Sequence, residues 1–230
     1  MVVDIPTESE PIPELEVRRI SLRDQAYEAI KQRIVRCELR PGEVMTIVDL
    51  AEQLRIGRTP ILQAIDRLAI DGLVSVMPRK GIVVTPISLD ELIEVVEVRL
   101  LNEGQAARWA AERASPADIA RLDATLDATW KAARSNDVDA MISLDREFHR
   151  QLSAVAGNTI LAEFLANLHD RSLRFWFISL RAPDHNIRVC GQHAAIMDGV
   201  RHHDPARAEA AMREHISAFR LNLTGQDPRN

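Results

Sequence analysis

Long apolar runs are absent from the sequence. No stretch of the 230 residues approaches the roughly 20 consecutive apolar residues that span a bilayer, and no basic-then-apolar leader precedes a cleavage site. Cysteine is nearly absent as well, because Cys37 and Cys190 are the only two and their spacing matches no metal or redox motif. We therefore expect reduced thiols, a cytoplasmic location and no membrane partner.

Aromatic residues are scarce, at 4% of the composition, whereas 27% of the residues are charged and 46% are hydrophobic. This balance is that of a soluble globular protein, and the abundance of Ala, Leu, Glu and Arg favours helices over strands. The length allows two modest domains. The composition thus predicts a mainly α protein.

Charge is distributed unevenly along the chain. The net charge of −5 argues, taken alone, against a nucleic-acid partner. Residues 1–17 carry five acidic and no basic residues, residues 18–86 carry 12 basic and 8 acidic residues, and residues 87–230 carry 17 basic and 21 acidic residues. The positive segment is short and close to the N-terminus, as expected for a DNA-binding module attached to an acidic domain.

Residues 18–86 show the pattern of a small helical domain that ends in a hairpin. Ser21 and Asp24 have the spacing of a helix N-cap, and Gly72 supplies a helix stop. Two β-branched runs then flank a basic turn. The predicted helices run from Ser21 to about Glu38, from Thr46 to Leu54 and from Gly57 to about Asp71, and the predicted strands cover residues 74–76 and 82–84. This order predicts a winged helix-turn-helix.

The rest of the chain is predicted to be helical or to lie in short tails. Residues 1–17, which carry three prolines among acidic residues, are expected to form a disordered tail, and residues 225–230 a second tail. Residues 87–224 show no strand pattern and predict an all-helical bundle of six to seven helices. Its predicted segments are 88–113, 116–134, 137–156, 158–181, 186–202 and 205–223.

The helix-turn-helix motif carries a family resemblance. Residues 50–68, LAEQLRIGRTPILQAIDRL, followed by DGLV at 71–74, resemble the GntR family of transcriptional regulators. Free N–H groups at the start of the third helix favour a phosphate, and a basic wing tip favours DNA backbone or minor groove. The alternative is that these basic residues are only solvated charges. The DNA-binding residues predicted in this way are Arg58, Thr59, Arg79, Lys80 and Gly81.

Two positions depart from the family pattern in the third helix. Leu62 stands where the family usually has an arginine, on the same helical face as Arg58. Gly57 replaces the usual capping serine. DNA binding is still expected, but the operator sequence cannot be transferred from the family.

Four residues of the C-terminal domain have the composition of a metal site. Asp145 and His149 are four residues apart and share one helical face, while His193 and His215 lie on two later helices. One carboxylate and three imidazoles suit a borderline divalent cation, most simply zinc, with nickel, manganese or iron left open. By spacing alone, ordinary surface or core histidines are the alternative.

The pattern around these residues resembles the FCD effector domain of the FadR subgroup of GntR regulators. The resemblance implies a homodimer, a metal held by these four residues and a small carboxylate or sugar-acid effector beside it. It places Arg99 at the effector pocket, where a guanidinium suits a carboxylate; an intrahelical pair with Glu103 is the alternative. The other histidines lie outside the motif: His169, His185, His202 and His203. Of these, His202 and His203 are expected to be exposed or to lie at a helix C-terminus.

These expectations combine into a ligand-responsive regulator that binds a palindromic operator as a dimer, by family behaviour a repressor. One alternative is a metal-dependent hydrolase or lyase built on the C-terminal domain, since such a site with an open position can activate water. Another is a DNA-binding protein whose four site residues are metal-free and which responds to an acyl-type effector.

Overall fold

The computed structural model describes residues 20–179 and 185–224. The two expected tails, 1–17 and 225–230, lie outside the described residues. Within the described part, no helix is both long enough and apolar enough to cross a membrane. The fold is mainly α, as the composition predicts, with one small sheet near the N-terminus.

The N-terminal domain is a winged helix-turn-helix. Its strands form one antiparallel sheet in the order β1-β3-β2, in which β3 pairs with both neighbours. The short strand β1 is absent from the sequence prediction because two residues cannot show an alternating pattern; only pairing with β3 defines it. In chain order, the elements are α1 (Leu22–Val35), β1 (Val44–Met45), α2 (Ile47–Leu54), α3 (Arg58–Ile70), β2 (Val74–Met77) and β3 (Gly81–Val84).

The first helix ends earlier than the sequence predicts. The hydrophobic pattern extends it to about Glu38, but the last helical residue is Val35 and Arg36 is the C-cap. Cys37 has φ of 54°, in the left-handed region, which breaks the helix. At the other end Ser21 caps the helix as predicted, since its Oγ accepts a hydrogen bond from the Asp24 N–H at 3.1 Å.

Six helices follow in the described residues, in agreement with the predicted bundle. The predicted end of the segment 158–181 lies outside the described residues, and the other boundaries agree within one residue of the predictions. Ser88 caps the first and Ser115 caps the second with a reciprocal bond to Asp118. These caps are readable in the sequence because they depend only on residues three apart. The helices are α4 (Leu89–Arg113), α5 (Pro116–Ser135), α6 (Val138–Val155), α7 (Thr159–Ser179), α8 (His185–Arg201) and α9 (Pro205–Thr224).

Each domain has its own hydrophobic core. In the N-terminal domain α3 packs its apolar stripe, Ile61, Ile65 and Leu68, against Ile30 and Ile34 of α1. The C-terminal core is built around α4, α8 and α9. Alanines of α4 and α9 lie in this core between larger side chains, and they allow the helices to approach closely: Ala107, Ala110, Ala111 and Ala208.

Gly199 marks the closest of these approaches. A Cβ at this position would lie 2.5 Å from the backbone N and 2.7 Å from the Cα of Ala208 in α9. We therefore expect Gly199→Ala to force α8 and α9 apart and to lower the free energy of unfolding by about 1–3 kcal/mol. Urea unfolding followed by circular dichroism measures the loss.

Gly191 provides the matched control, because it lies on the same helix and a Cβ there would meet nothing within 4 Å. Gly191→Ala should be neutral or stabilising by up to about 1 kcal/mol, since alanine is the better helix former. Equal destabilisation by both changes would contradict the close-approach explanation and point to a helix-wide effect.

Candidate functional site

The four predicted metal ligands converge inside the C-terminal domain. Asp145 and His149 come from one face of α6, His193 from α8 and His215 from α9, and all four are buried. One ligand atom of each lies within 4.8 Å of those of the other three. Helix periodicity explains the first pair, whereas packing of three separate helices brings the other two to it.

The spacing of the ligand atoms fits a tetrahedral cation. His149 Nε2 lies 3.2 Å from His215 Nε2, and His193 Nε2 lies 3.4 Å from Asp145 Oδ1. Two atoms bound to one zinc at about 2.0–2.1 Å lie roughly 3.3–3.4 Å apart. In addition, neither ring nitrogen of His193 has a hydrogen-bond partner among the described residues. The residues present therefore fit a divalent metal.

The charge balance of the site also favours a cation. Asp145 is 6% exposed, and among the described residues the basic side chains within ion-pairing distance of its carboxylate are the imidazoles of His169 and His193, not a lysine or an arginine. Burial lowers the pKa of His193 to about 3 and lowers the pKa of His215 well below its usual value. At neutral pH a buried anion therefore faces uncharged imidazoles, an arrangement that a bound cation stabilises.

Groups around the quartet orient its histidines. His149 Nδ1 lies 2.6 Å from Glu103 Oε2, and His215 Nδ1 lies 3.0 Å from Gln192 Oε1. Each acceptor favours a proton on Nδ1 and leaves the Nε2 lone pair for the metal. Burial raises the pKa of Glu103, but Arg99 and His149 outweigh it and hold the pKa well below its usual range. Sequence reasoning missed Gln192 in this role.

Arg99 makes the intrahelical pair with Glu103 that the sequence analysis gives as the alternative to an effector role. Its Nε pairs with Glu103 on the same helix, and its Nη2 donates to His169 Nδ1 at 3.4 Å. Arg99 also lines a pocket with about 390 Å³ of empty space, including its open mouth. Asp145 and His215 face the same pocket. A role for Arg99 in effector binding remains a prediction.

His169 belongs to the site, although the sequence reading left it outside the motif. Its Nε2 lies 3.2 Å from Asp145 Oδ2 and its Nδ1 accepts from Arg99. No helical spacing links residue 169 to the others, so no sequence signal identifies it. His185 also lines the pocket. His202 and His203 lie exposed at the end of α8, as predicted.

Glu103, His149 and His169 form a second cluster of metal-ligating types. The Arg99 guanidinium already neutralises the Glu103 carboxylate, and His149 is shared with the first quartet. A cation at this cluster would lie beside a fixed positive charge, which is unfavourable at short range. We therefore assign these residues to orientation of the first site.

In the N-terminal domain, Arg58 and Thr59 open α3, and both are exposed. Gly57, the N-cap, makes no side-chain capping bond, so residue 57 leaves the first N–H groups of α3 without a side-chain partner. Such N–H groups suit a DNA phosphate. Leu62 is 51% exposed on the same helical face as Arg58 and therefore adds an apolar side chain to the exposed face of α3.

The predicted wing is the turn between β2 and β3. Arg79 and Lys80 are exposed at its tip, and Arg79 has φ of 65°. Gly81 has φ of 100°, and a Cβ there would lie 2.7 Å from the Met45 carbonyl oxygen. Glycine is thus required where β3 passes β1, and any contact of Gly81 with DNA stays a prediction.

A winged helix-turn-helix joined to an all-helical domain with a buried polar pocket defines a class, that of DNA-binding transcriptional regulators. Residues 22–84 match the gntR family of bacterial regulatory proteins, and residues 94–218 match the FCD domain. The chain belongs to the GntR family and carries an FCD domain as its C-terminal half. It is a transcriptional regulator and not an enzyme, so the alternative of a metal-dependent hydrolase or lyase is wrong.

Named relatives agree with this assignment. A helix-turn-helix regulator of Agrobacterium vitis, described as uncharacterised, is 35% identical over 155 residues, which cover 64% of this chain and 90% of that protein. The repressor RspR of Escherichia coli is 25% identical over 198 residues, covering 85% and 86%. The solved structure of E. coli McbR/YncC shares the fold, with a TM-score of 0.79 at 23% identity over 87% of this chain and 95% of that one.

Proposed function

We propose that this regulator is a repressor that senses a small organic acid at a divalent metal, most simply zinc. The observation that carries the proposal is the buried Asp145 carboxylate among uncharged imidazoles, beside a pocket that also contains Arg99. A metal at the quartet would supply a fixed positive charge for an effector oxygen. Relatives named as repressors, RspR and the NanR protein of Enterobacter, support the sign of regulation.

The effector expected in this pocket is a small carboxylate or sugar acid. Because the Nε–H and one N–H of Nη2 of Arg99 already contact Glu103 and His169, the N–H groups left for an effector carboxylate are those of Nη1 and the second one of Nη2. The arginine would then hold one oxygen, and the metal another. Thermal-shift screening of small organic and sugar acids, with and without chelator, tests this; stabilisation that persists in chelator would argue against a metal-anchored effector.

We further propose that two copies of the chain bind a palindromic operator in the cytoplasm. One winged helix-turn-helix domain, here called the head, contacts few phosphates. Pairing two heads on two half-sites multiplies the affinity. Analytical ultracentrifugation tests the dimer directly. A footprint with two half-sites about one helical turn apart, or a multiple of it, is the expected pattern on DNA.

Arg58→Ala tests the DNA-reading surface. Arg58 lies exposed at the first position of α3, and loss of a base or phosphate contact there is expected to weaken operator binding about 10- to 100-fold at fixed salt. Fluorescence anisotropy with DNA from upstream of the protein's own coding sequence measures the change.

The matched control for this change is Arg121→Ala, which removes an exposed arginine of α5 whose partner is Asp118. It deletes the same charge outside the head and should leave DNA affinity within about twofold of wild type. If Arg58→Ala binds as tightly as wild type, α3 does not present its N-terminus to DNA.

A further inference from the structure

Helix α7 contacts both the metal and effector site and the DNA-binding domain. On the inner side, His169 reaches Asp145 at 3.2 Å and accepts from Arg99 at 3.4 Å. The next residue along the chain, Asp170, pairs with Lys31 of α1 at 2.8 Å. Adjacent residues of one helical turn therefore contact the two domains.

The Lys31–Asp170 pair is buried, with side-chain exposures of 7% and 5%. Buried charges hold each other in a narrow range of positions, because separating them in a medium of low polarity is costly. Asp170 also pairs with Arg146 of α6 at 2.7 Å, whereas the other acidic partner of Lys31, Glu28, lies further away at 3.7 Å. The pair therefore fixes α1 to α7 more firmly than an exposed ion pair would. A shift of α7 is consequently a shift of α1.

From Lys31 the contacts continue to α3, the recognition helix of the helix-turn-helix. Lys31 Nζ donates to the Tyr27 hydroxyl at 3.1 Å, and that hydroxyl donates to Asp71 Oδ2 at 2.6 Å. Asp71 is the C-cap of α3. A second route arrives directly from α7, since Asn167 Nδ2 donates to the Asp71 carbonyl oxygen at 3.3 Å. Both routes end at the same point of the DNA-reading helix.

Two arginines of α7 hold the segment that joins the domains. Arg171 bonds Glu91 of α4 at 2.6 Å, and its guanidinium lies against Gly72. The largely buried Arg174 donates to the Thr85 carbonyl oxygen. The contact from Arg174 therefore joins the linker between the wing and α4 to α7, and the contacts of Arg171 join α7 to α4 and to the end of α3.

From these contacts we propose that residues 167–174 of α7 couple occupancy of the metal and effector site to the position of the recognition helix. His169 acts as the positioning residue on the site side, and the Lys31–Asp170 pair transmits the displacement to the head. A ligand that changes how Asp145 and Arg99 hold His169 biases the position of α3. This inference rests on the proposed sensing function.

Hydrogen exchange of the full chain, chelator-stripped or loaded with zinc alone, tests the coupling. Zinc is expected to change the exchange rate of α1 and α3 amides by about fivefold or more, the lower end of ordinary allosteric coupling. Lys31→Met should keep about one zinc per chain. In Lys31→Met, and in His169→Gln measured at saturating zinc, the zinc-dependent change should fall below about twofold. Lys31→Met leaves Asp170 paired with Arg146, at 2.7 Å.

Arg33→Met is the matched control, because it removes one positive charge from the same helix and its contacts, Glu38 and Gln53, lie within the head. It should retain the full response to zinc. If Lys31→Met does not fold, His169→Gln tests the same coupling from the site side. The coupling alone is overturned if the zinc-dependent change in exchange rate is the same in the two variants as in wild type. It is also overturned if wild type binds zinc but the exchange rates of α1 and α3 do not change. Absence of zinc binding to wild type overturns the proposed sensing function, and the coupling with it.

Discussion

Zinc is expected to raise the free energy of unfolding of the stripped protein by about 4 kcal/mol when free zinc exceeds its Kd a thousandfold. The stabilisation arises because the quartet of Asp145, His149, His193 and His215 is assembled from three helices only in the folded state. Elemental analysis should find about one ion per chain. Chemical unfolding with and without chelator measures the difference in stability.

The quartet can be tested residue by residue. Asp145→Asn and His193→Gln should each abolish the zinc-dependent stabilisation, because each removes one ligand atom. His202→Gln, at an exposed histidine outside the site, should retain it in full. Intact folding of wild type, Asp145→Asn and His193→Gln, with no ion in any of them, would refute the metal proposal.

Acid is expected to destabilise the metal-free protein strongly. His193 has a pKa of about 3 in the folded protein, and burial holds the pKa of His215 well below its usual value. Both take up protons near pH 6.5 when unfolded. Since the unfolded chain binds more protons below pH 6.5, stability falls as the pH decreases from there. With a folded pKa of about 3, His193 alone should contribute a loss of about 2 kcal/mol at pH 5, and His215 adds a loss in the same direction.

Unfolding curves at pH 5 and pH 7.5 in chelator check this direction. His193→Gln removes one titrating group and should reduce the pH dependence without abolishing it, because burial also lowers the pKa of His169, His185 and His215. His202→Gln, at an exposed histidine, should leave it unchanged. Loss of stability towards higher pH instead would mean that these imidazoles are charged in the folded state, and would undo the argument for a cation beside Asp145.

Acid should also release the metal. Protons compete with zinc for the same imidazole lone pairs, so affinity decreases as pH falls. The metal-bound effector site is therefore expected to form near neutral pH and to be lost in acid.

The DNA-reading half illustrates what is readable from sequence and what is not. The position of Arg58 at the start of α3 follows from the motif, and the structure places it there. The strand β1 and the requirement for glycine at position 81 do not follow, because both depend on a close approach between Gly81 and Met45, which are 36 residues apart. Contacts of this length carry no periodic signal.

The sequence by itself determined the helices, their caps and the residue types of the candidate site, because each depends on neighbours within about four positions along the chain. Asp145 and His149 were therefore recognisable as a pair. Only the tertiary structure decided that His169 joins them, that Arg99 of α4 also reaches His169, and that Asp170 binds Lys31. The physical reason is that packing of separate helices brings these groups together and removes them from water, and that burial then sets their charge and their partners.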